Sequence, residues 1–379
     1  MPEVKAGPET KVPFYGHVRQ YHGIQKEIDT AIRTVLESNQ YVMGPALKEF
    51  EKDLANYFGM KHAAGVNSGT DALWLVFLAL GIQPGDEIIT TANTFFATAE
   101  AAWIVGAKAV FVDCDRRTYN IDPSKIEAAI TPRTRAIVPV HLYGLCADMK
   151  AVSEIARKHD LLVVEDNAQS IDGHGPGWKQ GDFSDAVCLS FIVQKNLGTF
   201  GDGGAVVTNR EDVDAAVRRL RNHGSSQRSM HSFGFNSRLD DLHAAILSVK
   251  LKYIKKWTDR RREIAARYTL GLRGTSLTLP YEPPGNRHVY HLYVVAHPKR
   301  DSLESFLLKA GIDVKLHYPI AIHQQAGYPW GKLADPKPHV PNCEYNAATC
   351  LSLPMFPELT DEEADYTIEK CIEWDRSQT

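Results

Sequence analysis

The sequence predicts an α/β fold in which helices cover both faces of a mostly parallel, seven-stranded sheet. Seven short apolar runs lie between about residues 60 and 210: HAAGV, EIITT, AVFV, AIVPV, LLVVE, AVCLS and GAVVT. Strands that lack an alternating polar face are typical of a sheet that is buried on both sides. Helical periodicity between the runs, in TDALWLVFLALG, TFFATAEAAWIVGA and DMKAVSEIARKHD, predicts the covering helices.

Three regions are expected along the 379 residues. Residues 1–22 form an N-terminal arm, residues 23–255 a large domain and residues 256–379 a smaller C-terminal α/β domain. One long helix is expected over RLDDLHAAILSVKLKYIKKWTDRRREIAARY. The composition changes after that helix to Pro-rich turns, an aromatic strand in HVYHLYVVAH and a helix-strand unit in SLESFLLKAGIDVKLHYP, which places the second boundary near residue 255.

Composition argues against several classes of partner. The formal net charge is only −3, so no global field favours nucleic acid or an anionic membrane. The longest apolar stretch, ALWLVFLALGI, is shorter than the roughly 20 residues that span a bilayer. Six cysteines without a CxxC motif argue against a disulfide framework and a zinc site, and favour a reducing cytoplasm.

Motifs for other chemistries are missing from the sequence. No GxGxxG follows a predicted strand, and neither GxxxxGK[ST] nor HExxH occurs. The fifteen histidines are scattered, and the pairs His288 with His291 and His317 with His323 lack partner ligands. Metal catalysis is therefore not expected.

A candidate phosphate site follows the first strand, in VNSGTDALWLVFLALG. Ser68, Gly69 and Thr70 stand between this strand and an apolar helix. Exposed amides at a helix start bind phosphate, and a glycine lets the phosphate come close. The alternative is an ordinary capped helix with Ser68 or Thr70 as the N-cap.

Two polar residues follow the buried run LLVVE. Asp166 stands just past the strand end, and Gln169 can face the same crevice if a turn begins there. A carboxylate beside a heterocyclic nitrogen keeps that nitrogen protonated, which makes the ring an electron sink. The alternative for Asp166 is the capping of the next helix.

A lysine follows the apolar run AVCLSF, ahead of the glycine-rich GTFGDGG. Lys195 can form a Schiff base with a cofactor aldehyde, if it is not simply a solvated lysine. Ser190, at the same strand end, can give its hydroxyl to a phosphate. Phe95 follows another strand end and either lies over a flat ring or is a core aromatic.

A basic cluster lies further along the chain: Arg218, Arg219, Arg221, His223 and Arg228. The pattern favours a solvated helix face, with a nucleotide pyrophosphate as the alternative partner.

The order of these motifs resembles that of the fold-type I, aspartate aminotransferase-like enzymes that use pyridoxal phosphate. More narrowly, GVNSGTDAL, PVHLYG, VEDNAQS, SFIVQKNLGTFGDGGAVVTN and GFNSRLDDLHAAIL are similar to the DegT/DnrJ/EryC1/StrS family of sugar aminotransferases. The similarity extends from YVMGPALKEFEKDLANYFG to LSLPMFPELTDEE. One departure is FIVQK, where relatives usually have an aromatic residue and a proline before the lysine.

The resemblance implies a role for each motif residue in a pyridoxal phosphate site within the large domain. Lys195 would bind the cofactor covalently, Asp166 would pair with the ring nitrogen, and Gln169 would approach the ring hydroxyl. The other implied contacts are Phe95 stacked on the ring, Gly69, Thr70 and Ser190 at the phosphate, and Asn236 at the phosphate of a neighbouring subunit. A homodimer with shared active sites follows.

The lysine loop KNLG followed by GDGG resembles that of enzymes acting at C3 of a nucleotide-linked keto sugar. The expected reaction is ping-pong transfer of an amino group from L-glutamate to a UDP- or dTDP-linked 3-keto sugar. Arg238, Tyr318 and His323 are the candidate contacts for sugar or amino donor. The alternatives are a C4-keto-sugar or cyclitol aminotransferase, and a non-enzymatic regulator that binds the cofactor.

Overall fold

The computed structural model describes residues 10–225, 230–328 and 338–378. Seven strands of the described chain form the central sheet: β1 (His62–Val66), β2 (Glu87–Thr91), β3 (Lys108–Val112), β4 (Thr134–Ile137), β5 (Leu162–Asp166), β8 (Ala186–Ser190) and β9 (Gly204–Thr208). Short antiparallel pairs are formed by β6 (His174–Gly175) with β7 (Trp178–Lys179), and by β10 (Tyr293–Ala296) with β11 (Cys350–Leu353).

Helices surround the sheet and build the C-terminal region. They are α1 (His17–Gly23), α2 (Gln25–Ser38), α3 (Pro45–Phe58), α4 (Gly69–Ala79), α5 (Ala97–Ile104), α6 (Met149–Lys158), α7 (Glu211–Leu220), α8 (Asp241–Leu251), α9 (Ile254–Gly271), α10 (Arg300–Lys309), α11 (Pro341–Thr349) and α12 (Asp361–Arg376). Within the ranges given above, no helix is both long enough and apolar enough to cross a membrane.

The strand order of the sheet is β1-β9-β8-β5-β4-β2-β3, and only β9 runs antiparallel to its neighbours. Two of the strands, β2 and β9, are buried at every position, and β5 and β8 are buried at four of their five positions, as expected for a sheet that helices cover on both sides. Because β5 and β8 are parallel, their carboxyl ends meet at one edge, where ligands bind in open α/β sheets. The predicted mostly parallel seven-stranded sheet is confirmed.

A second apolar core lies outside the sheet. It is built by residues of α9, α10, α12 and the β10-β11 pair, with Val12 from the N-terminal segment packed against them. The backbone of Val12 also pairs with Ile312. The boundaries proposed at residues 22 and 255 stay predictions, and residues 1–9 of the expected arm lie outside the described chain.

The single long helix expected after Arg238 is wrong. The chain forms α8 and α9 with a break at Lys252 and Tyr253. The two helices pack against different partners: α8 contacts α2 and α3, whereas α9 contacts α12. The apolar pattern continues across the break, so periodicity alone did not reveal it.

The basic cluster is only partly a solvated face. Arg221 is buried and forms an ion pair with the buried Glu51 of α3, and Arg218 contacts the same carboxylate at 2.7 Å. Arg219 and His223 are exposed, as the solvated-face interpretation expected. That interpretation is therefore wrong for Arg221, because a buried carboxylate requires a charged partner. Arg228 lies outside the described residues.

Candidate active site

A cavity of about 350 Å³ opens where β5 and β8 end. Its lining comes from segments far apart in sequence. Nine of the residues singled out as cofactor or substrate contacts line it: Ser68, Gly69, Thr70, Phe95, Asp166, Gln169, Ser190, Lys195 and Tyr318.

The start of α4 forms one wall of the cavity. Ser68 is the N-cap of α4, and its side chain accepts a hydrogen bond from the backbone N–H of Asp71 at 3.0 Å. A Cβ at Gly69 would lie 2.6 Å from Cβ of Ser190, and a Cβ at Gly204 would overlap the Ser68 carbonyl. Ser68 therefore caps only one backbone amide at the start of α4. This start is positively polarised and tightly packed, so it can bind a phosphate as well, and the two interpretations are compatible.

Asp166 provides a buried carboxylate at the end of β5. Its Oδ2 accepts a hydrogen bond from Thr98 Oγ1 at 2.8 Å, and its Oδ1 accepts one from the backbone N–H of Ala168 at 3.2 Å. Burial raises the pKa of Asp166, while both hydrogen bonds and the positive charge of Lys195 act in the opposite direction. A turn rather than a helix follows Asp166, so the capping alternative does not apply.

Gln169 lies beside Asp166 with both ends of its amide engaged. The Oε1 atom accepts a hydrogen bond from the backbone N–H of Tyr143 at 2.7 Å, and Nε2 donates to the hydroxyl of Tyr318 at 3.1 Å. An amide nitrogen carries two hydrogens. Gln169 can therefore donate a second hydrogen bond into the cavity.

Lys195 faces Asp166 across the cavity. Burial lowers its pKa to about 8, although the negative charge of Asp166 opposes the shift. The backbone of the lysine loop is closely packed, since a Cβ at Gly198 would lie 2.5 Å from the Val193 carbonyl oxygen. A lysine with a lowered pKa is a better nucleophile and base near neutral pH than a solvated lysine.

Phe95 is 54% exposed, which excludes the core interpretation. Its ring centroid lies 5.6 Å from that of Tyr318. Both rings line the cavity, where they can contact a flat ligand.

Three predicted residues do not line this cavity in the single chain. Asn236 is exposed, and Arg238 donates a hydrogen bond to the side-chain oxygen of Asn222 at 2.9 Å. His323 is buried, and its Nε2 lies 2.8 Å from Glu344. Their roles in binding stay predictions.

Several polar residues at the site were missed by the sequence reasoning, including the following four. Tyr15, His291 and His317 line the cavity, and Thr98 contacts Asp166. The two histidines stand in HVYHLYVVAH and VKLHYP, and the sequence pattern brought them into consideration only as metal ligands. None of these four residues directly follows a predicted strand of the sheet. The expectation that ligands bind at the carboxyl ends of strands therefore did not identify them.

A separate cluster brings Asp113, Cys114 and Cys343 within 4.8 Å of one another. Both oxygens of Asp113 accept backbone N–H groups from the start of α11, at 3.1 and 3.0 Å. Both oxygens of the Asp113 carboxylate therefore accept hydrogen bonds from the first turn of α11. The cluster does not line the cavity.

The cavity fits a flat heteroaromatic ring that carries a phosphate and an aldehyde. The start of α4 matches a phosphate, Asp166 is a buried carboxylate of the kind that pairs with a protonated ring nitrogen, and Lys195 is a nucleophile with a lowered pKa. Comparison with known proteins gives the same result. The model of the DegT/DnrJ/EryC1/StrS aminotransferase family matches residues 22–372.

Curated relatives match almost the whole chain. A pleiotropic regulatory protein of Geobacillus stearothermophilus is 43% identical, over 96% of this chain and 99% of its own length. UDP-2-acetamido-2-deoxy-3-oxo-D-glucuronate aminotransferase of Pseudomonas aeruginosa is 42% identical, over 92% and 96%. dTDP-3-amino-3,4,6-trideoxy-alpha-D-glucose transaminase of Streptomyces venezuelae is 43% identical, over 96% of each chain.

Solved structures also match along the chain. The S. venezuelae protein DesV, in complex with a ketimine intermediate, has a TM-score of 0.94 and 42% identity, over 97% of this chain and 99% of its own. The Bacillus subtilis protein NtdA, with bound cofactor PMP, has a TM-score of 0.87 and 33% identity, over 97% and 86%.

Proposed function

This chain belongs to the DegT/DnrJ/EryC1/StrS aminotransferase family and is a pyridoxal phosphate-dependent transaminase, and on that premise we propose that it aminates C3 of a nucleotide-linked keto sugar. L-glutamate is the proposed amino donor, and a 3-amino sugar and 2-oxoglutarate are the products. The observation that carries the proposal is one cavity in which Asp166 and Lys195 face each other beside the start of α4.

Bound pyridoxal phosphate supplies an aldehyde that takes up the amino group and a ring that accepts the electron pair of the carbon losing its proton. Asp166 keeps the ring nitrogen protonated, because a buried carboxylate favours a neighbouring positive charge. Gly69, Thr70 and Ser190 hold the phosphate. Gln169 would donate to the ring hydroxyl, and Phe95 would contact the ring.

Lys195 moves the proton. With the amino donor in its place, the free amine of Lys195 would take the proton from the donor carbon and give it to the cofactor carbon that carried the aldehyde oxygen. With a pKa of about 8, the amine exchanges protons readily near neutral pH. Lys195 would serve the two halves of the reaction in opposite directions. The kinetics are ping-pong, because 2-oxoglutarate leaves before the keto sugar binds.

The substrate class is supported by two observations. The relatives from P. aeruginosa and S. venezuelae are named for a UDP-linked 3-oxo sugar and a dTDP-linked 3-amino sugar, respectively. The lysine loop of this chain carries the KNLG and GDGG pattern that resembles C3-specific enzymes. Arg238, Tyr318 and His323 are the proposed contacts for sugar or donor.

The working form is a homodimer in which Asn236 reaches the phosphate site of the partner subunit. The exposure of Asn236 supports this arrangement, because the residue is free to contact a second copy. The cytoplasm is the proposed compartment, since all six cysteines are free thiols.

The test is a panel of keto sugars with glutamate as donor, and 2-oxoglutarate and amino sugar are measured together. UDP- and dTDP-linked 3-keto sugars are expected to react, whereas K195A loses turnover and K256A, at an exposed lysine of α9, does not. Reaction only with 4-keto sugars or a cyclitol would instead support the alternative aminotransferases. Cofactor binding without any conversion by glutamate would support a regulator, as the name of the G. stearothermophilus relative suggests.

A further inference from the structure

Lys250 of α8 is a buried lysine that does not line the cavity at the ends of β5 and β8. Its side chain is almost inaccessible, since the residue is 2% exposed, and it forms no ion pair within the described part of the chain. Burial lowers its pKa to about 8, although the negative charge of Glu358 opposes the shift. Keeping an ammonium group in such a place costs free energy, which the contacts of that group must offset.

The ammonium of Lys250 makes its two close contacts with the lysine loop. Its Nζ donates a hydrogen bond to the carbonyl of Gly198 at 2.7 Å, and it lies over the ring of Phe200, 4.3 Å from the centroid. Gly198 and Phe200 follow Lys195 closely in the sequence. A backbone carbonyl and the face of an aromatic ring both stabilise a cation, so the charge of Lys250 binds the loop at two points.

A second side chain of α8 holds the residue between these two points. The imidazole Nδ1 of His243 lies 2.8 Å from Oγ1 of Thr199. His243 and Lys250 are separated by about two helical turns and therefore lie on one face of α8. Three successive residues of the loop, 198–200, are thus bound to the same face of this helix.

The lysine loop closes on itself, so a contact at its end affects the position of Lys195. The backbone N–H of Thr199 donates to the Phe191 carbonyl at 2.8 Å, which joins the two ends of the loop. Inside this closed segment, the N–H of Lys195 donates to the Ile192 carbonyl at 2.8 Å. A Cβ at Gly198 would lie 2.8 Å from the same carbonyl oxygen, so Gly198 packs directly against the turn that carries Lys195.

We propose that Lys250 is a positioning residue for Lys195. Its ammonium fixes the Gly198 carbonyl and the Phe200 ring, and the lysine loop is thereby held where the amine of Lys195 reaches the aldehyde of the cofactor. The inference rests on the role proposed for Lys195 as the residue that binds the cofactor covalently. It explains why a buried cation is kept at this position without a carboxylate partner.

The proposal predicts a selective loss of binding for one form of the cofactor. Pyridoxal phosphate forms a covalent bond with Lys195, whereas pyridoxamine phosphate has no aldehyde and forms none. The position of the lysine therefore matters only to the first form. In K250M the dissociation constant for pyridoxal phosphate is expected to rise about tenfold, because a hydrogen bond from a charged group is lost, while that for pyridoxamine phosphate stays unchanged.

Equilibrium titration of the full-length, cofactor-free protein with each form gives both constants. The matched control is K252M, at an exposed lysine just after α8, where neither constant should change. F200L keeps the hydrogen bond but removes the ring, and its constant for pyridoxal phosphate is expected to rise about threefold. F200L carries the test if K250M does not fold.

Equal loss of both forms in K250M would overturn the proposal, because Lys250 would then support the cofactor site as a whole. Unchanged constants, or the same selective loss in K252M, would also overturn it, and these outcomes apply to F200L where it carries the test. Failure of the role proposed for Lys195 has a different signature. In that case the unchanged protein binds pyridoxal phosphate no more tightly than K195A does.

Discussion

Thr98 donates a hydrogen bond from Oγ1 to Oδ2 of Asp166 at 2.8 Å, which connects the first turn of α5 to the end of β5. Both residues are buried. The bond lowers the pKa of Asp166 in a place where burial raises it. The ionisation of the carboxylate that faces the cofactor ring therefore depends on a hydroxyl from a neighbouring helix.

Replacing Thr98 by valine is expected to slow the half-reaction with the amino donor about tenfold, because a hydrogen bond to a charged group contributes roughly 1.5–3 kcal/mol. The pKa of Asp166 rises in T98V, and a smaller fraction of the carboxylate stays ionised beside the ring nitrogen. Single-turnover absorbance measurements over a range of pH test this. T98S keeps the hydroxyl and serves as the control; equal rates for T98V and T98S would contradict the role of this bond.

Replacing Gly69 by alanine is expected to weaken cofactor binding. The new Cβ would lie 2.6 Å from Cβ of Ser190, so the start of α4 must move away from β8. Such overpacking costs about 1–3 kcal/mol. If this cost falls on phosphate binding, the affinity for the cofactor drops roughly ten- to a hundredfold.

The matched control for G69A is G23A, because a Cβ at Gly23 meets no atom within 4 Å. Equilibrium titration with pyridoxal phosphate and thermal unfolding of both variants separate a local effect from general destabilisation. If G69A bound the cofactor as tightly as G23A does, the start of α4 would not be the phosphate site.

The sequence predicted the parts of the site that follow directly from strand ends. Asp166, Ser190 and Lys195 stand at or just after apolar strands, and parallel strands bring their carboxyl ends to one edge of a sheet. The sequence alone therefore predicted that these three residues line one cavity. The same reasoning predicted the sheet, because uniformly apolar runs have few alternatives.

The remaining parts of the site depend on tertiary contacts. His291 reaches the cavity from the segment before β10, nearly a hundred residues after Lys195, and no periodic pattern encodes that contact. Arg221 was expected on a solvated face because its partner, Glu51, lies 170 residues away. The break between α8 and α9 also lies in a segment whose local pattern is continuous, and the two helices differ in the helices that they contact.

Replacing Lys195 by methionine is expected to stabilise the cofactor-free protein at neutral pH. The lysine has a pKa of about 8 in the fold, compared with 10.5 for an unperturbed lysine. Between these values the unfolded chain binds more protons than the native state, so stability rises with pH and the penalty of the buried charge is largest below pH 8.

The stability advantage of K195M over the unchanged protein should therefore narrow as the pH rises from about 7.5 to 10, by on the order of 1 kcal/mol. Urea unfolding at each pH gives this difference directly. Titrations of groups that Lys195 does not influence contribute equally to both proteins and cancel. A stability difference that is constant with pH would show that Lys195 titrates normally in the fold.

Mixed dimers test the sharing of the site between subunits. In the proposed homodimer a complete site takes Lys195 from one chain and Asn236 from the other. K195A alone is expected to be inactive, and N236A alone to bind the cofactor weakly. When a K195A chain pairs with an N236A chain, the site of the K195A chain contains both substitutions. The site of the N236A chain then has its own Lys195 and the intact Asn236 of the partner subunit.

Equal amounts of the two variants, unfolded and refolded together, should regain about a quarter of the normal activity, since half of the dimers are mixed and each has one intact site. The control is N236A refolded with a K195A/N236A double variant, in which no site can regain both residues. If Asn236 served the cavity of its own chain, the K195A and N236A mixture would show no gain over the control. Recovery in the first mixture alone would establish that Asn236 acts across the interface.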